Sequence, residues 1–173
     1  MRRSVSFAGV LAGIFAFAST TLNASGAGGG STASSDTPAD RLAYLIGTWN
    51  CSIKLTPAGS PAVVNHGVWT FTKSQSDTIH AHWAAPGYEA DDYYGYDAKT
   101  KTYWLAGVDT QGVLGSQTSK DDVTFTGSFV AGGVSSPDRD IVTRPTPSRF
   151  NDLSEVETKG AWSKAADMEC IKT

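Results

Sequence analysis

Several common chemistries are missing from this 173-residue chain. It has two cysteines, three histidines and two methionines, and no histidine follows His82. Charge is sparse and mildly negative, 14 Lys+Arg against 17 Asp+Glu. No cluster of Lys or Arg exists to meet a phosphate backbone, so nucleic acid is not expected as a partner. There is no Gly-x-Ser-x-Gly elbow and no glycine-rich phosphate loop, which removes the usual serine-hydrolase and nucleotide-binding signatures. One long apolar run occurs, at the start of the chain, and no second run follows it.

That run begins after Arg2 and Arg3 and extends from Phe7 to Ala18. It is shorter than the roughly 20 residues a spanning helix needs. It suits the apolar stretch of a signal peptide, about 7–15 residues long. Small residues follow, with cleavage expected after Ala24 or Ala27. Residues 1–27 therefore read as a signal peptide, and residues 28–35, Gly-Gly-Gly-Ser-Thr-Ala-Ser-Ser, as a flexible linker. No cysteine lies near the cleavage region to carry a lipid. The expectation is a secreted or periplasmic protein without a membrane span in its mature form. Removing Arg2 and Arg3 from the 14 basic residues leaves 12 against 17 acidic ones, a net charge of −5.

The remainder, residues 36–173, is enough for one domain with its own core. Thr37-Pro38-Ala39-Asp40 offers a capping residue, a proline at the first helical position and an acid three residues after the cap. Leu42, Leu45 and Ile46 fall on one helical face, and Gly47 is a natural stop. Beyond Gly47 the period changes to two. Trp49, Cys51, Ile53 and Leu55 alternate with polar residues, the mark of a half-buried strand. Turn-forming segments then separate further runs near 66–73, 78–84, 93–96, 103–108, 113–119, 123–129, 139–144, 150–157 and 161–171. The expected fold class is all-β, an antiparallel barrel or sandwich preceded by a short helix.

The cysteines help to choose between those two. Ala166, Met168 and Cys170 share one parity of the last strand, and Cys51 shares its parity with Trp49. Both thiols are expected to face inward. In an oxidising compartment two cysteines most simply form one disulfide. A Cys51–Cys170 bridge would join the first strand to the last, and those strands are neighbours in a closed barrel. A single closed up-and-down barrel of about eight to ten strands is the expectation.

A short helix followed by Gly47-Thr48-Trp49 opening an antiparallel domain resembles the lipocalins and the wider calycin group. The longer run Leu45-Ile46-Gly47-Thr48-Trp49, with Tyr94-Gly95-Tyr96-Asp97 and a lysine-containing hairpin before Tyr103, resembles uncharacterised secreted bacterial lipocalin-like proteins. Nitrobindin-like haem barrels share a similar opening. The resemblance implies structural roles for Gly47, which ends the helix, and Trp49, which plugs one end of the barrel. It also implies a small apolar or amphipathic ligand inside, bound without covalent chemistry. The chain departs from both patterns. Lipocalins stack a late arginine on the tryptophan, whereas the last strand here offers only Lys164 and Lys172. Nitrobindin-like barrels hold haem with a late histidine, and none is present here.

The candidate ligand-binding residues are Trp69, Phe71, His80, His82, Tyr94, Tyr96 and Tyr103. His80 and His82 lie two apart, so both rings point to one face of a strand. A hairpin centred on Gln75-Ser76 sets them opposite Trp69 and Phe71, and they line the cavity if those aromatics face inward. If Ile79, Ala81 and Trp83 face the core instead, both rings lie outside. Facing inward with a third ligand they suit zinc or copper, so zinc, like haem, stays open, although no cofactor is called for. Glu89, Asp91 and Asp92 form an acidic patch, read either as acid–base or calcium groups or as a solvated loop at the barrel mouth. Two further classes stay open. One is an isomerase or hydrolase using His80, His82 and an acid. The other is an extracytoplasmic interaction or inhibitor protein using the rim loops of a filled barrel. Oligomeric state is not legible.

Overall fold

The computed structural model describes Pro38 and residues 40–56 and 60–173. The expected signal peptide, linker and capping Thr37 lie outside the described residues. Ten strands form one closed antiparallel barrel. They are β1 (Gly47–Leu55), β2 (Val63–Lys73), β3 (Ile79–Ala85), β4 (Tyr88–Asp97), β5 (Thr102–Asp109), β6 (Leu114–Ser119), β7 (Thr124–Ala131), β8 (Val134–Thr146), β9 (Arg149–Thr158) and β10 (Ala161–Lys172). Each strand pairs with its neighbour in sequence, and β10 pairs back onto β1. Closure leaves no edge strand with unpaired backbone groups.

Side chains alternate inward and outward along every strand, so the barrel register decides what is buried. In β1 the inward set is Trp49, Cys51, Ile53 and Leu55, all buried. Asn50, Ser52 and Lys54 point out. Cys51 lies directly opposite Cys170 across the β1–β10 seam. The two are joined by a disulfide whose Cα atoms are 4.1 Å apart. Inward parity, opposed positions and strand adjacency thus coincide at one pair, as the sequence pattern requires.

The expected helix is shorter and tighter than an α-helix. It is a 3₁₀ helix, Asp40–Leu45, with Leu42 and Leu45 buried. Three residues make one turn of such a helix, so these two leucines stack on one face. They sit over the barrel end formed by the start of β1. There Trp49, fully buried, donates its indole N–H to the Leu45 carbonyl at 2.6 Å and packs edge-on against Phe150 at 4.8 Å.

Lys172 supplies the cation that this tryptophan lacks from arginine. Its ammonium lies 5.0 Å from the Trp49 ring centroid and donates to the Tyr44 carbonyl at 2.9 Å. Such a contact carries cation–π attraction. Gly47 makes room for it. Its φ is +130°, and a Cβ there would lie 2.8 Å from Lys172 Cε. On the same side Arg144 stacks on the Tyr44 ring at 4.0 Å and bonds the buried Asp122 carboxylate at 3.1 Å, which Arg41 also reaches at 3.3 Å. This end of the barrel is closed by packed aromatics and paired charges.

Two strand boundaries differ from the sequence expectation in ways that matter for function. β4 begins at Tyr88, not near Tyr93, so Glu89, Asp91 and Asp92 lie on a strand and not in a mouth loop. β8 begins at Val134, well before Arg139, and so carries Asp138 within the barrel wall. In both places strand pairing overrides acidic, turn-like composition.

The disulfide closes a loop with a sequence separation of 119, for which chain-entropy arguments give a stabilisation of about 4–5 kcal/mol. Replacing both cysteines by alanine is expected to lower the unfolding free energy by up to about that amount. Urea titration of the oxidised protein and the variant measures it. Equal midpoints would show that the seam does not need its covalent link.

Candidate functional site

The end of the barrel away from the 3₁₀ helix is hollow. A cavity of about 310 Å³ occupies it, bounded by inward residues of several strands. Ile53, Trp69, Trp83, Leu105 and Met168 give it apolar walls. Trp69 and Trp83 face each other across β2 and β3 as an edge-to-face pair, 5.7 Å between centroids. Pockets that take small molecules begin at roughly this volume and combine such walls with a few polar groups.

The charged groups here are acids. Asp92, Asp109 and Asp138 line the cavity and are buried. Asp92 projects inward from β4 because its neighbours Ala90 and Tyr94 share that parity. Its carboxylate lies over Gly107, the residue opposite on β5, where a Cβ would sit 1.7 Å from Asp92 Oδ1. Only glycine leaves space for it. Asp109 accepts from the Gln111 and Val113 backbone N–H groups at 2.8 and 2.9 Å, and Tyr88 stands beside it with its phenol raised by burial and by that carboxylate.

Behind them lies a polar chain. Gln117 donates through its amide nitrogen to Asp138 at 2.8 Å and to Asp140 at 2.5 Å. Ser154 donates to the other Asp140 oxygen at 2.5 Å. With two carboxylates fixing its nitrogen, the Gln117 oxygen is turned away and has no hydrogen-bond partner among the described residues. Asp138 Oδ1 and both oxygens of Asp152 are likewise without a hydrogen-bond partner there. Asp140 and Asp152 are essentially inaccessible.

Buried carboxylates without a countercharge resist ionisation. Burial pushes the Asp138 carboxyl up to about 6, against hydrogen bonding from Gln117. Burial raises Asp92 well above the carboxylate range, helped by the charges of Asp91 and Asp109. Asp140 is raised by burial and then by Asp152 beside it, and Asp152 is raised by burial. Asp122, as deeply buried at the other end, is paired with Arg41 and Arg144. Among the described residues, the cavity lining carries His66 but no Lys or Arg.

The sequence-derived candidates divide between three places. Trp69 lines the cavity. Phe71 and Tyr94 pack together at 5.8 Å in the buried core, and Phe71 stands 4.9 Å from Trp69. Tyr96 and Tyr103 pair at 4.9 Å, with Tyr103 also meeting Arg41. None of these four is a wall of the cavity. His80 and His82 lie on the outer face. The β2–β3 register places them opposite Thr72 and Thr70, and sets Trp69 opposite Trp83 and Phe71 opposite Ala81. The hairpin is therefore centred on Ser76, one residue short of the shift that would bring the rings inside. A one-residue slip inverts every side chain of a strand.

Outside, both histidines meet one oxygen of Asp91, His80 Nε2 at 2.8 Å and His82 Nδ1 at 3.0 Å. His80 also stacks on Tyr93 at 4.9 Å. Partial burial would raise the Asp91 carboxyl, but the hydrogen bonds with His80 and His82 outweigh it and hold it below its ordinary range. Alternation thus separates adjacent acids, Asp91 to the outer wall and Asp92 to the cavity. Among the described residues, no group of three or more His, Cys, Asp or Glu is arranged to hold a metal ion.

The acids at 109, 138, 140 and 152 are the part that reading the sequence for motifs misses, and Asp92 enters that reading only as one of an acidic patch with Glu89 and Asp91. The signal was present as parity. Asp138 and Asp140 share the phase of buried Val142, and Asp152 that of Phe150. Carboxylates at apolar phase look like exceptions to a strand pattern until the strand is seen to enclose a space.

No family model matches the chain, and no curated protein matches it. Among solved structures it is similar to one described as EF1p2_mFAP2b bound to DFHBI. That match has 13% identity and a TM-score of 0.41, covering 79% of this chain and all of the other. Likeness at this level says nothing about ligand or activity. No helix among the described residues is long and apolar enough to cross a membrane.

The acids set an unusual pH dependence. Asp138 titrates near 6 in the fold against an ordinary 3.8. Between those values the folded state holds a proton the unfolded chain has lost, so stability falls as pH rises through about 4 to 6. Asp92, Asp140 and Asp152 act in the same direction at higher pH. Asp91 and Asp97, held low, act oppositely only in more acidic solution. The melting temperature is expected to be higher at pH 5 than at pH 7.5. Asp152→Asn, whose amide can donate toward Asp140, should stabilise by about 1–3 kcal/mol at pH 7.5 and flatten the profile. Thermal unfolding across that range checks both, and a melting temperature that drops on acidification from pH 7.5 to 5 contradicts them.

Proposed function

We propose that this chain is an extracytoplasmic binding protein that takes a small molecule with an apolar body into the open half of its barrel. The observation that carries the reading is the cavity of about 310 Å³, walled by Trp69, Trp83, Leu105 and Met168. The opposite end is packed by Trp49, Phe125, Phe150 and the leucines of the 3₁₀ helix, so the ligand would enter from the other. A barrel with one plugged and one hollow end is suited to holding a ligand. The Cys51–Cys170 disulfide supports an oxidising location, as do the targeting features of residues 1–27. Kinship with the calycin group accords with the Gly47–Trp49 opening, with Lys172 in the part of the stacking arginine.

Binding ranks above catalysis because the histidines that an enzyme reading relied on face away from this cavity and meet Asp91 and Tyr93. The acids facing the cavity instead give a ligand hydrogen-bond acceptors to meet.

Ala90 faces the cavity from β4. Ala90→Trp is expected to fill it and weaken binding of an environment-sensitive apolar fluorophore at least tenfold, leaving the fold intact by circular dichroism. Fluorescence titration of both proteins decides. Unchanged affinity in the variant would place the probe elsewhere and remove the cavity from the binding site.

A further inference from the structure

Resting on that reading, we infer that the ligand is an organic cation, a small protonated amine with an apolar or aromatic body, whose head group sits among Asp92, Asp138 and Gln117.

The first ground is the sign of the unfilled hydrogen-bonding capacity. Gln117, 3% exposed, projects inward among the residues that line the cavity, and neither its carbonyl oxygen nor Asp138 Oδ1 has a hydrogen-bond partner among the described residues. Both are acceptors. Buried polar groups are almost always paired, and an orphan is destabilising. A group that satisfies these must donate. An ammonium donates three hydrogen bonds and accepts none, whereas a carboxylate or phosphate ligand would face acceptors with acceptors.

The second ground is charge. From β4, β5 and β8 the cavity receives Asp92, Asp109 and Asp138, with Asp140 and Asp152 behind. The facing titratable groups are His66 on β2 and the Tyr88 phenol, and among the described residues no Lys or Arg lines the space. The protein brings two arginines to buried Asp122 at its other end but, among the described residues, no arginine ion pair to these acids. A bound cation is the missing countercharge.

The third ground is the wall. The Trp69–Trp83 pair presents indole faces and edges to the same space. Such faces attract organic cations, and more strongly where water is excluded. A bare metal ion would gain little from indoles, and no metal-holding group is arranged there among the described residues. The cavity of about 310 Å³ has room for a phenethyl body.

The test compares 2-phenylethylamine with 2-phenylethanol, which share a body and differ in the head, by calorimetry on the full mature protein at pH 7.5. The amine is expected to bind at least tenfold more tightly. Asp92→Asn with Asp138→Asn should abolish that preference while leaving affinity for the alcohol. Should the variant fold poorly, titrating wild type at pH 6 in two buffers of different ionisation enthalpy provides the second measure. Amine binding should release protons from the carboxyls, and alcohol binding should not. If the two probes bind equally, or the amine releases no protons, the cation inference is overturned while the cavity remains a binding site. If neither probe nor an apolar fluorophore binds, both readings fall together.

Discussion

The pairing of β10 back onto β1 is the constraint on which the rest of the structure depends. Ten antiparallel strands leave no freedom once the first and last are joined, because a shift of one residue anywhere turns a full strand inside out. Cys51 and Cys170 fix that pairing at one opposed position. With the seam set, inward parity propagates through the neighbouring strands. Asp92, Gln117, Asp138, Asp140 and Asp152 are held inside because the apolar residues in phase with them are inside.

The barrel is divided along its axis by chemistry. One end is packed with Trp49, Phe71, Phe125 and Phe150 beneath the 3₁₀ helix, and its buried charge is neutralised by arginine. The other end keeps open volume, an indole pair and acids with no Lys or Arg beside them among the described residues. Unpaired carboxylates in a protein interior oppose folding. Three of them, Asp92, Asp109 and Asp138, line the hollow end, where the proposed ligand would meet them. The solid end and the disulfide supply the rigidity that this arrangement requires.

Much of the fold is legible in the sequence, and particular residues show why. Trp49, Cys51, Ile53 and Leu55 alternate cleanly, and Met168 and Cys170 repeat the phase at the far end of the chain, so inward cysteines and closure follow from parity. The hollow half is less legible. The His80 and His82 orientation turns on whether a hairpin is centred on Ser76 or between Gln75 and Ser76, a difference composition does not encode. Asp91 and Asp92 look alike as letters, yet the strand that carries them starts at Tyr88 and sends them to opposite sides of the wall. Of the aromatics, Trp69 reaches the cavity, while Phe71, Tyr94, Tyr96 and Tyr103 build the packed remainder. Alternation tells inside from outside but not height along the barrel axis, and height separates core from cavity.

A crystal structure of the protein with 2-phenylethylamine bound tests the central claim most directly. The predicted result is the aromatic ring against Trp69 and Trp83 and the nitrogen within hydrogen-bond distance of Asp138 and the Gln117 oxygen. An interior filled by side chains, or an amine seated anywhere else with those two acceptors still unpartnered, would contradict it.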